Sequence, residues 1–197
     1  SSNVTEVIDQ ANQNGLLVRD GTVLLDANGS WRSRVFLDVG STLRLDNSAV
    51  NFSQGRMSST GAGTFRNISF RGASLDLIGS TSSGSPTVEN FADTTFLKGF
   101  SQISLRQQNL TFAQTILFFR GAGWGNQAPT QASASAPGVS MLFRGVGLAP
   151  FAGRASVQFT NAPTFSGEVG GTGAQNRGIL PWACLLYTSP SPRDRQK

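Results

Sequence analysis

Any chemistry in this chain would have to come from its carboxylates. The 197 residues contain no His and one Cys, Cys184. That excludes Ser-His-Asp triads, imidazole-paired Cys nucleophiles and zinc sites built from imidazole and thiolate. Five aspartates, Asp20, Asp26, Asp38, Asp46 and Asp76, recur near the ends of short apolar segments. A polysaccharide-cleaving protein would need two carboxylates facing one bond, or carboxylates holding a calcium ion on one outer face. No two of these acids are adjacent or one strand step apart, and Asp commonly ends strands and opens turns. Turn formation is therefore the expected role, with no catalytic residue, metal site or cofactor. The stretch GGTGAQ from Gly170 is Gly-rich but lacks the Asp of a calcium-binding nonapeptide.

The cations offer a second pattern. An apolar residue, a cation and a Gly recur as Phe70-Arg71-Gly72, Leu97-Lys98-Gly99, Phe119-Arg120-Gly121 and Phe143-Arg144-Gly145. Stacked on one face, Arg71, Arg120 and Arg144, together with Arg19, would make a weak ladder for an anionic glycan or other cell-surface material. The plainer role is to solubilise the surface and discourage edge pairing.

The elements that would position these residues are short strands. Alternation of apolar and polar residues predicts them at Val35–Val39, Thr42–Asp46, Ser74–Ile78, Ile103–Arg106, Leu110–Phe112 and Val157–Thr160, separated by Gly, Ser, Asn and Thr. Only Thr5–Gly15 suggests a helix, with Val7, Ile8 and Ala11 at helical spacing and Gly15 as the cap. The cations of the tripeptide repeat, at 71, 98, 120 and 144, step by 27, 22 and 24 residues. Gly-x-x-Leu-x-Leu occurs from Gly40 and again from Gly72. Such periods predict an all-β fold, a right-handed parallel β-helix (solenoid) fragment in which each turn stacks on the next. The alternative is a β-sandwich, whose strands recur at about 8 to 12 residues. Fourteen Phe suit an interior of stacked rings, and Leu75 and Phe143 are expected inside.

The last 14 residues, Cys184–Lys197, hold the only Cys and the only Tyr. The string CLLYTSPSPRD matches the translation of a transposase-library sequencing adapter, so residues 184–197 are expected to be a non-native tail and 1–183 a solenoid segment truncated at both ends. Without that tail, 13 cations against 10 acids leave a net charge of +3. Charge so thin and scattered argues against nucleic acid as a partner. No apolar run reaches the roughly 18 residues of a membrane-spanning helix. A cut solenoid should self-associate through its exposed ends.

The segments GASLDLIGSTSSGSPTVENF, ILFFRGAGWG, MLFRGVGLAP and VQFTNAPTFSGEVGGTGAQNRGILPWA follow one another between Gly72 and Ala183. In this order they resemble the bacterial autotransporter-associated β-strand repeat proteins. There a Gly-x-Leu-x-Leu-x-Gly strand, a Thr/Val-Glu-Asn turn, a Val/Phe-Arg-Gly strand, an Ala-Pro-Thr turn and an Ile-Leu-Pro-Trp-Ala stop succeed one another. The Ala/Ser-rich stretch Asn126–Gly138 and Glu168 depart from the pattern. The resemblance implies a secreted or cell-surface passenger-type β-helix with no known reaction, a structural or adhesive segment. The other readings are a polysaccharide-active enzyme working through surface carboxylates, and a passive stalk presenting another domain.

Overall fold

The computed structural model describes residues 7–8, 15–52, 55–57, 66–82, 85–108, 114–124, 138–145, 154–160 and 183–187. Among them the chain is all β, in two sheets. The seven-stranded sheet runs β1 (Val7–Ile8), β2 (Gly15–Val18), β4 (Arg34–Leu37), β6 (Arg66–Phe70), β8 (Thr87–Phe96), β10 (Thr115–Trp124) and β12 (Ala155–Phe159). The six-stranded sheet runs β3 (Gly21–Leu25), β5 (Ser41–Asp46), β7 (Ser74–Ile78), β9 (Gly99–Arg106), β11 (Val139–Gly145) and β13 (Ala183–Tyr187). From β2 onward successive strands alternate between the sheets, and every pairing within a sheet is parallel except β1 with β2. Parallel pairing sets aside the antiparallel sandwich, whose neighbouring strands run in opposite directions.

Period-two patterning explains the layering. In β5, Ser41, Leu43 and Leu45 are buried while Thr42, Arg44 and Asp46 are partly exposed. Register then stacks like on like: Leu43 pairs with Leu75, Leu45 with Leu77, Phe70 with Phe96, and Phe91 with Phe119 and onward to Phe159. The rings touch along this stack, with centroids 5.4 Å apart for Phe70–Phe96, 5.9 Å for Phe96–Phe119 and 5.3 Å for Phe119–Phe159. Each such pair contributes about 0.5–1.5 kcal/mol beyond the area it buries. Leu75 and Phe143 both lie in this core.

The spacing of paired strands is not that of the tripeptide repeat. Paired core residues Val23, Leu43, Leu75, Ile103 and Phe143 step by 20, 32, 28 and 40 residues. The Gly-x-x-Leu-x-Leu echo does mark neighbouring parallel strands, because its leucines pair in register, Leu43 with Leu75 and Leu45 with Leu77. What repeats at the corner entering β3, β5, β7, β9 and β11 is a glycine at positive φ: Gly21, Gly40, Gly72, Gly99 and Gly138. A side chain at Gly72 would be strained at φ 62° and would meet Val39 Cγ2 at 3.3 Å. The corners also bond to one another, Gly40 N–H to Gly72 O at 3.2 Å and Gly99 N–H to Gly138 O at 2.7 Å. Arg71-Gly72 and Lys98-Gly99 therefore mark corners, whereas Arg120 and Arg144 lie inside strands, one in each sheet.

Two further expectations are corrected or relocated. The helix over Thr5–Gly15 gives way to a strand pair, Val7 opposite Leu16 and Ile8 opposite Gly15. β-Branched Val7-Ile8 favours extended backbone, and Gly15 opens β2, where a Cβ would meet the Phe36 ring at 3.2 Å. Ala183–Tyr187, which includes the first four residues of the expected non-native tail, adds to the edge of the six-stranded sheet beside β11. An open parallel edge accepts a short apolar run whatever its origin. The segment Leu110–Phe112, the stretch 126–137 and Glu168 lie outside the described residues.

Candidate functional site

The outer face of the six-stranded sheet gathers polar side chains from four consecutive strands. Leu75 and Leu77 point into the core, so Asp76 between them points out. Register places Arg44 of β5 on one side of Asp76 and Ser104 of β9 on the other, with Arg144 of β11 opposite Ser104. Arg44 donates from Nη2 at 2.9 Å and Nε at 3.3 Å to Asp76 Oδ2. That bond ties up the one carboxylate of the row, leaving its side chain 12% exposed. Beside it lies a cleft of about 300 Å3, lined by Asp76, Gln102, Ser104, Leu105, Arg106, Arg144 and Gly145. Gln102 Nε2 donates to Ser104 Oγ at 3.0 Å. Arg106 and Arg144 are exposed, and among the described residues neither has a carboxylate within ion-pair distance. Buried Ser101, Ile103 and Leu105 fix the alternation of β9, so Phe100, 59% exposed, shares the outer face with Gln102 and Arg106.

Arg71, Arg120 and Arg144 are placed on or beside three different strands, not all in one sheet. Arg71 follows β6 at a corner, with Nη1 3.9 Å from Asp38 Oδ2. Arg120 belongs to β10 in the seven-stranded sheet and Arg144 to β11 in the other. Of these three only Arg144 lines the cleft, where it is joined by Arg106, which the tripeptide pattern does not contain; Arg44 borders it only through its bond to Asp76. Three of the aspartates do turn work. Asp20 Oδ1 accepts from Gly21 N–H at 2.7 Å, Asp38 Oδ1 from Val39 N–H at 2.9 Å, and Asp46 Oδ1 from Ser48 N–H at 2.9 Å. Burial pulls the Asp46 pKa upward, but the bonds from Ser48 and the Arg56 and Arg44 charges outweigh it and hold the carboxyl below its ordinary value. Asp26 receives Gly29 N–H on its main-chain oxygen at 2.6 Å. Among the described residues no three His, Cys, Asp or Glu side chains gather as a metal site.

A second constellation has no counterpart in the sequence reading. Arg56, in the loop between β5 and β6, is wholly buried and spends its guanidinium on main-chain oxygens: Nη1 on Ala27 at 3.0 Å and Gly29 at 2.7 Å, Nη2 on Asp46 at 2.5 Å and Val50 at 2.9 Å. The Phe52 ring lies 4.6 Å from its carbon centre. Glu89, equally buried, accepts from the Arg56 N–H at 2.8 Å and the Met57 N–H at 2.9 Å. Its position on β8 is paired with Leu117, inside the core, and Gly55 approaches so closely that a Cβ there would meet Glu89 Oε1 at 2.7 Å. Burial pushes the Glu89 carboxyl up to about 7, restrained by those two N–H bonds and by the Arg56 charge; burial also lowers the Arg56 pKa. Sealed from water, this cluster cannot meet a substrate and works as a structural lock. The Thr-Val-Glu-Asn stretch that the resemblance makes a turn is the start of β8. The signal for Glu89 was its inward phase with Thr87 and Phe91; Arg56 has no local signal at all.

No family model, curated protein or solved structure matches the chain.

Proposed function

We propose that this chain is a right-handed parallel β-helix segment of a bacterial secreted or cell-surface passenger-type protein, with a structural or adhesive role and no catalysis. The observation that carries the reading is the strand order: alternate strands enter two sheets of parallel strands, and each turn packs its apolar face on the next. Parallel crossovers are right-handed in about 98% of cases, which supports the hand. Use of the acids supports the absence of a reaction, since Asp20, Asp38 and Asp46 serve turns, Asp76 is held by Arg44, and Glu89 is sealed inside. A glycosidase or lyase needs carboxylates free to face a sugar bond. The resemblance to autotransporter-associated repeats supports the surface location.

The test is incubation of the full chain with acidic and neutral polysaccharides, followed by an assay for new reducing or unsaturated ends. No product is expected from either class. Turnover abolished by Asp76→Asn would overturn the reading in favour of a polysaccharide-active enzyme.

A further inference from the structure

We infer that the outer face of the six-stranded sheet is a binding strip for an acidic oligosaccharide, one carrying carboxylate or sulfate groups, laid along β9. The inference deepens the adhesive reading and rests on it. Three observations coincide on this strip. Arg144 stands level with Ser104 on the neighbouring strand and Arg106 one outward position further along β9, both with no carboxylate partner among the described residues, while the nearby acid, Asp76, is already neutralised by Arg44 at 2.9 Å. Guanidinium forks match the planar oxygens of carboxylate and sulfate. Gln102 and Ser104 form the middle, an amide and a hydroxyl of the kind that read sugar hydroxyls. Phe100 stands 59% exposed at the other end, an apolar plate against which the C–H face of a sugar ring can lie.

The dimensions and charge choose among polymers. Six residue steps from Phe100 to Arg106 span roughly 20 Å, room for a short oligosaccharide rather than a single sugar. A nucleic acid would want cations spaced along the whole strip to meet each phosphate, and here both cations without a carboxylate partner among the described residues stand in the half away from Phe100. The expected ligand has an acidic group at the arginine end and a ring face at Phe100, and its affinity falls as salt rises.

Titration calorimetry of the full chain with tetragalacturonate, a chondroitin sulfate tetrasaccharide and neutral maltotetraose tests this. Binding of one or both acidic probes, with little for maltotetraose, is expected. Arg106→Ala combined with Arg144→Ala should weaken it about tenfold or more. Phe100→Ala should weaken it less, and Arg154→Ala, in the approach to β12 of the other sheet, should leave it unchanged. All four positions are exposed, and matching thermal melts confirm that the variants fold. The inference is overturned by no binding at millimolar probe, by binding indifferent to the arginine pair, or by equal binding of a glutamate decapeptide or a thymidine decanucleotide. Cleavage of a bound probe would sink the non-catalytic reading while leaving the strip standing, so the two failures are separable.

Discussion

Two arginine–carboxylate arrangements, one buried and one exposed, show how little the pairing itself says about its worth. Arg44 and Asp76 meet across adjacent strands on the outer face at 2.9 Å, with the Arg44 side chain 39% exposed. Arg56 and Glu89 are both wholly buried, and their connection runs mainly through main-chain groups: four carbonyls on the guanidinium and two N–H groups on the carboxylate. Water can replace either partner of the first pair at small cost. The second is harder to replace, because both side chains are wholly buried and the two N–H groups on the Glu89 carboxylate are buried with it.

The comparison breaks most visibly at Arg56. Arg56→Ala takes the donor from four part-buried carbonyls and the opposite charge from beside the buried Glu89 carboxyl, and should cost about 3–5 kcal/mol, read as a lower urea midpoint. Arg56→Lys should recover only part of that, because one ammonium cannot reproduce the planar fork. Unchanged midpoints would mean that the loop docks without its arginine.

Glu89 supplies the intermediate effect, and it depends on pH. The folded chain holds the Glu89 proton up to about pH 7, whereas the carboxyl's ordinary value is 4.5. Between those limits the folded state binds more protons than the unfolded one, so stability falls as pH rises through that window and levels off above it. Arg56 faces the carboxyl, with Asp46 and Asp26 behind the guanidinium. Glu89→Gln should flatten the slope of unfolding free energy between pH 5 and 7. An identical slope in the variant would assign the pH dependence elsewhere.

The smallest effect belongs to the surface pair. Arg44→Ala should change stability by about 1 kcal/mol or less, fading further in high salt. A loss comparable to that of Arg56→Ala would show that the outer row is structural after all, and would count against its use as a ligand strip.

How far the sequence carried these distinctions depends on the range of the interactions involved. Alternation is local, so Ser74–Ile78 was readable as a strand with its bounds intact, and Thr42–Asp46 missed only Ser41. The Gly-x-x-Leu-x-Leu echo gave the correct neighbours because corner glycine and inward leucines recur together in each rung. The Phe-Arg-Gly repeat misled because it mixed corners with strand interiors; composition repeated where backbone conformation did not. Rung lengths varying from 20 to 40 residues hid the rest. Arg106 was not legible as a site residue, since it meets Asp76 and Arg144 in the cleft only through register between strands tens of residues apart. Arg56 was the least legible, being an ordinary surface residue type whose burial depends on Ala27, Gly29 and Glu89 arriving from two other segments.

The Arg56 lock also has a mechanical meaning. In stacked parallel strands each turn grips only its neighbours, so a chain drawn out by one end under tension can peel turn by turn, like a zipper under low load. Arg56 interrupts that sequence, because it joins the segment around residues 27–29 to the loop at 46–50 and, through its own N–H, to β8. Load reaching this rivet must break several short bonds together rather than in succession. The strands that Arg56 links should therefore resist extension together rather than one turn at a time.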